Sequence, residues 1–242
     1  MRKILVVIIG PVGVGKSTII IRLSNFLKNK SVPVTTVFLK AFHGPSFFIW
    51  QLVIKPMFYV KKSKLVKVKV KIAPWYMLSR LNEEMAWRLT LLTALMDALI
   101  VIPLKTLYIH VYRLIGFNVL CEEYLFGTLT DYIYTYINAK THKGRNILNF
   151  AIKMFTALLL KNKPHVTIVL DASINELLNR WRGRRYGEPQ LKYILFQKAF
   201  FNGIRKLFPP HNFEIFYIDT SNLKENATLK LVLENVLKLG LG

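Results

Sequence analysis

Between Ile4 and Asn29 the chain reads ILVVIIGPVGVGKSTIIIRLSNFLKN, and this stretch constrains the fold more than any other. Ile4 to Ile9 is an unbroken aliphatic run, the pattern of a strand buried on both faces. Gly10-Pro-Val-Gly13-Val14-Gly15-Lys16-Ser17 follows and fits G-x-x-x-x-G-K-[ST], a phosphate-binding P-loop. Ile19, Ile20, Leu23, Phe26 and Leu27 then recur at helical spacing. Strand, glycine loop and helix are the order that the chemistry requires. Glycines let main-chain N–H groups turn towards phosphate oxygens, and the helix N-terminus meets the anion with its dipole. Lys16 is expected to reach the β- and γ-phosphates, and Ser17 to offer a hydroxyl to Mg²⁺. Gly10, Gly13, Val14, Gly15, Lys16, Ser17 and Thr18 are therefore the expected site for a nucleoside triphosphate, ATP with Mg²⁺.

Further strands are expected at Val34 to Leu39, Phe117 to Cys121, Val166 to Leu170 and Ile215 to Ile218, each a short apolar or β-branched run. Helices are expected between them: Phe47 to Pro56, Glu83 to Ile102, Leu104 to Ile115 beyond a break at Pro103, about 128–138, 147–161 and 225–237. Ser173-x-x-Glu176 reads as a capping box. Alternation of this kind predicts a three-layer α/β/α P-loop NTPase fold with a five-stranded, mostly parallel sheet. The length of 242 residues suits a single domain over 1–242, with a basic and aromatic insertion at 55–80 after the second strand. Within it lies KKSKLVKVKVKI (61–72), where lysine alternates with apolar residues from Lys67, either as a patch for nucleic acid or membrane or as an exposed hairpin or loop. No run of about 18 apolar residues survives Asp97, Pro103, Lys105, His110 and Arg113, so buried helices are expected there rather than a membrane span.

Lys and Arg number 35 against 13 Asp and Glu, a formal net charge of +22. Such a field attracts polyanions, whether nucleotides, nucleic acid or an anionic membrane surface. The single cysteine, Cys121, excludes an internal disulfide framework, and a cytoplasmic location is expected, with peripheral membrane contact open.

Phosphoryl transfer needs a phosphate cradle, an acid to hold the metal and positive charge for the developing equatorial oxygens. Glu122, at the end of a predicted strand, is the expected metal ligand with Ser17, and Glu123 is a second candidate. Arg180, Arg182, Arg184 and Arg185 crowd around Gly183 within 180–189, where a lid would close on the transferring phosphate. Asp171 reads as a cap at a strand–helix junction.

Beyond GPVGVGKST, three segments make the chain resemble the thymidylate kinase family of P-loop nucleoside monophosphate kinases: VTIVLDASINELLNR, RGRRYGE and FYIDTS. A fourth, GFNVLCEEYLFGTLTDY, aligns where that family carries Asp-Arg-Tyr; here the triplet is Glu122-Glu123-Tyr124. The resemblance implies transfer of the γ-phosphate of ATP to a nucleoside monophosphate, with Lys16, Arg182, Arg184 and Arg185 stabilising the charge in flight. It also implies acceptor contacts from Lys40, Phe47, Phe48, Glu123 and Tyr124, and a homodimer is compatible with it. Two departures stand out. Glu123 replaces an arginine that grips the acceptor phosphate, and Lys40 replaces an arginine after the second strand. Two other readings therefore accompany kinase activity: a nucleotide-dependent protein that binds nucleic acid or a membrane surface, and a kinase relative that binds ATP but has lost its acceptor site.

Overall fold

The structure, a computed structural model, describes residues 3–61, 78–79, 82–183, 189–208 and 213–238. The lysine-alternating run beyond Lys61, Pro74 to Tyr76, Arg184 and Arg185 lie outside those residues. Five strands form one sheet: β1 (Leu5–Ile9), β2 (Val34–Phe38), β3 (Asn118–Glu122), β4 (Val166–Asp171) and β5 (Ile215–Asp219). Their order is β2-β3-β1-β4-β5, and every pairing is parallel. The expected "mostly parallel" sheet is thus parallel throughout, and all carboxyl ends share one rim. Ile8 and Phe38 both register with Glu122, which fixes the ends of β1, β2 and β3 at one level.

Period-two alternation in β1 explains the layers. Leu5, Val7 and Ile9 enter a core with Trp50, Phe126, Tyr132 and Phe155. Val6 and Ile8 enter the opposite core with Ile20, Leu23, Leu27 and Val232. Burial on both faces is why the strand reads as a continuous aliphatic run. The covering helices among the described residues are α1 (Lys16–Asn29), α2 (Pro45–Lys61), α3 (Glu83–Met96), α4 (Ile102–Leu114), α5 (Tyr124–Ile137), α6 (Arg145–Lys161), α7 (Ile174–Gly183), α8 (Leu191–Leu207) and α9 (Glu225–Leu237).

Two proline expectations are corrected. Helix α2 does not stop at Pro56 but runs five residues beyond it to Lys61. The bond that the proline cannot donate would have gone to Leu52, an exposed residue where water can take the carbonyl. Nor does Pro103 separate two helices: α3 and α4 are one continuous rod, joined by a π turn over Asp97–Val101. A π turn lengthens the hydrogen-bonded ring by one residue, so the bonding pattern shifts just ahead of the proline instead of ending. Pro103 then sits in the first turn of α4, where a missing N–H is tolerated.

The rod from Glu83 to Leu114 is 32 residues long and the one described helix long and apolar enough to cross a membrane. Its inner face packs in the core through Ala86, Leu89, Ala94, Ala98, Ile102 and Ile109. Its outer face is apolar as well. Leu92, Leu99, Ile100, Leu104, Leu107, Tyr108, Val111, Leu114 and Ile115 are all exposed. At 1.5 Å per residue that strip is about 35 Å long.

Asp97, in the π turn, is fully buried and organises the segment after β2. Its carboxylate accepts from the Phe42 amide at 2.9 Å, from the Tyr132 hydroxyl at 2.7 Å and from the Ser46 hydroxyl. Burial is the main influence on its pKa and raises it, while these three donors pull the other way.

Candidate active site

The P-loop leaves the carboxyl end of β1 and feeds α1. Gly10 has φ 148°, and a Cβ there would lie 2.1 Å from the Leu170 carbonyl oxygen on β4, so only glycine lets loop and strand approach this closely. Two long-range contacts brace the loop backbone. The Val12 amide donates to Gln197 Oε1 of α8 at 3.0 Å. Arg180 donates to the Val14 carbonyl at 3.2 Å, and also to Thr220 Oγ1 and the Thr220 carbonyl. Glu176 holds the same guanidinium at 2.7 Å. Arg180 therefore grips loop backbone, separate in role from Arg182, which is exposed and bonds Asn179.

Lys16 is buried and donates to the Gly10 carbonyl at 2.8 Å and the Pro11 carbonyl at 3.0 Å. Its third partner is Glu123 Oε1 at 3.1 Å. Ser17 Oγ donates to Glu122 Oε1 at 2.8 Å, so the two expected metal ligands are brought into contact across 105 residues of sequence. A hydroxyl and a carboxylate supply hard oxygen donors of the kind Mg²⁺ takes, with water and phosphate completing its octahedron. Burial pushes the Glu122 carboxyl up, with Lys16 and the Ser17 hydrogen bond opposing it.

Glu123 is the unexpected centre of the site. It stands at the junction of β3 and α5 with φ 69° and ψ −51°, and Tyr124 follows with φ 52°. Two consecutive non-glycine residues at positive φ are costly, on the order of 1–3 kcal/mol each, and persist only where the surroundings dictate them. The turn aims the carboxylate inward. Oε1 pairs with Lys16 and, at 3.4 Å, with Lys40; Oε2 is buried with no hydrogen-bond partner. Gly127 leaves the room for it, since a Cβ there would lie 2.5 Å from Oε2. Burial alone would raise the Glu123 pKa, but Lys16 and Lys40 outweigh it and hold the carboxyl below its usual range.

Lys40 lies just beyond β2 and is nearly buried between Glu123 and Asp131, whose Oδ2 is 3.9 Å away. Burial would lower its pKa, but Asp131 and Glu123 raise it well above the usual lysine value. Asp131, on α5, also accepts from the Tyr193 hydroxyl of α8. Burial lifts its carboxyl to about 6 against the pull of Lys40 and Tyr193, with Glu123 pushing the same way as burial. Lys16, Glu123, Lys40, Asp131 and Tyr193 form one chain of contacts, and the Ser17–Glu122 pair lies next to it through the neighbouring residues 16–17 and 122–123.

The other sequence candidates are placed elsewhere. Tyr124 is buried and its hydroxyl donates to the Asn162 carbonyl at 2.7 Å. Phe47 stacks on His43 with ring centroids 6.2 Å apart, and Phe48 is exposed. Asp171 caps the Ala172 amide and binds Lys198, the junction role expected of it. Ser173 Oγ accepts from the Glu176 amide at 3.3 Å, while the Glu176 carboxylate turns to Arg180, so the capping box is half formed. Among the described residues, no cluster of three or more His, Cys, Asp or Glu side chains could hold a metal.

No family model matches the sequence, and no curated protein matches it either. Among solved structures the chain is similar to a thymidylate kinase from Candida albicans, with a TM-score of 0.57 and 15% identity over 99% of this chain and 93% of that one. That kinase is described as having broad substrate specificity and a novel structural element. With the parallel sheet and its strand order, the likeness establishes a P-loop α/β/α fold of the thymidylate kinase type.

Proposed function

We propose that the chain is an ATP-dependent phosphotransferase whose acceptor belongs to the nucleoside and nucleotide class. The observation that carries this reading is the contact of Ser17 with Glu122 beside Lys16, in a loop whose backbone is held by Gln197 and Arg180. The fold of a nucleotide kinase supports it. Loop amides and Lys16 bind the β- and γ-phosphates, while Ser17 and Glu122 hold the metal. Bound Mg²⁺ supplies charge neutralisation between phosphate oxygens. Arg182 starts the segment that, with Arg184 and Arg185, brings positive charge over the transferring group as the lid closes. The resemblance makes a nucleoside monophosphate the first acceptor to test.

Lys16→Ala should lower MgATP turnover about 100-fold or more, the scale set by loss of one preorganised charge contact. Turnover in the presence of an acceptor panel checks this, and near-normal activity would remove the assignment. The same variant leaves Glu123 buried with Lys40 alone, so it should also melt at a lower temperature than the parent.

The exposed strip of the 83–114 rod, in a chain of net charge +22, favours a second property: peripheral contact with an anionic membrane. Flotation with phosphatidylserine vesicles should carry the protein upward and neutral vesicles should not; equal flotation with both sets this property aside.

A further inference from the structure

This inference rests on the phosphotransferase reading and narrows its substrate. We propose that the acceptor presents an uncharged hydroxyl, as a nucleoside does, and not a phosphate. In-line transfer puts the acceptor beyond the γ-phosphate, on the side of Lys16 away from the departing diphosphate. A phosphate acceptor brings a second anion up to the first and needs cations of its own. The described groups next to Lys16 supply the opposite. Lys40 is already held between Glu123 at 3.4 Å and Asp131 at 3.9 Å. When Lys16 turns to the triphosphate, two carboxylates face that one ammonium group, an excess of one negative charge. Glu123 cannot swing away without undoing its turn, because its backbone has positive φ and its side chain fills the space above Gly127. Its second oxygen is buried and unpaired, pointing at no cation among the described residues. Among the described residues, a phosphate entering here meets like charge in a poorly screened interior.

A hydroxyl fits the same groups. Its oxygen attacks the γ-phosphorus, the bond from that phosphorus to the β–γ bridging oxygen breaks, and ADP leaves with the bond's electron pair. The hydroxyl proton passes to Asp131, which Tyr193 and Lys40 hold in place. The products are ADP, a phosphate monoester and a proton, with no oxidant or further reactant.

The test uses the full chain with MgATP and matched pairs of acceptors, the common nucleosides and deoxynucleosides against their 5′-monophosphates, with products identified by mass. At least tenfold higher kcat/KM for nucleosides is expected. Equal or better use of monophosphates overturns the inference and leaves phosphotransfer standing. Transfer to neither, with MgATP still bound, overturns both the inference and phosphotransfer; no binding of MgATP removes the P-loop reading first. Glu123→Gln, of the same shape and without the charge, should shift the nucleoside-to-monophosphate ratio at least tenfold towards monophosphates. A correctly folded Gln variant with an unchanged ratio counts against the charge argument.

Discussion

Asp131 is the residue whose chemistry is most open to measurement. It is faced by Lys40 beyond β2, Glu123 before α5, Tyr193 on α8 and, more distantly, Lys16 in the loop. Its folded pKa of about 6 lies above the ordinary 3.8, so protonation favours the folded state. That contribution is complete below about 3.8 and is lost as pH rises through about 6. Asp131→Asn lacks it, so the melting advantage of the variant at pH 7.5 should shrink at pH 5. Catalysis follows the opposite sign, because a proton acceptor must be ionised. Transfer to a hydroxyl should fall about tenfold per pH unit below 6. A flat profile down to pH 5 would remove Asp131 from the reaction. The sequence shows Asp131 only as an acid inside an otherwise uncharged helix, YLFGTLTDYIYTYI, a signal that something must pair with it. Gln197 carries no such mark, and Arg180 is marked only as one of the arginines around Gly183, not as a brace of the loop. Their partners lie 185 and 166 residues away, and only the packed structure connects them to the loop.

At the scale of elements, local rules succeeded where one force acts and failed where two compete. Five strands were legible because each is short, apolar or β-branched, and bounded by turn residues. Helix α5 starts at Tyr124, four residues before the expected Thr128, because the strained turn at Glu123 starts it at once after the strand. Pro103 misleads for a related reason: proline forbids an α-helical bond, but a π turn can absorb that loss when its side chains are well held. Asp97 supplies the hold. Asp97→Ala would strand the Phe42 amide and the Ser46 and Tyr132 hydroxyls in the core. Each buried orphan costs about 1–3 kcal/mol, so a loss of several kcal/mol in urea unfolding is expected. Asp97→Asn, which keeps two acceptor lone pairs, should lose less. The same carboxylate fixes Phe42 two residues beyond Lys40, so folded Asp97→Asn should also bind its acceptor less well while binding MgATP normally.

Across the whole molecule, charge and apolar surface oppose each other. Lysines and arginines outnumber acids by 22, yet the outer side of the 83–114 rod presents leucine, isoleucine, valine and tyrosine to water. Like-charged particles stay apart in dilute buffer, where the Debye length is about 30 Å at 0.01 M ionic strength. At 1 M it is about 3 Å, and sulfate additionally strengthens apolar contact. Salt, the usual remedy for a sticky basic protein, should therefore clump this one. Light scattering should show particle size growing from low to high ammonium sulfate, and Leu104→Glu with Leu107→Lys should abolish the growth while leaving the fold intact. The cationic coat is in effect the colloid stabiliser for an oily seam along one side of the particle, and neutralising the coat should make that seam govern its behaviour in solution.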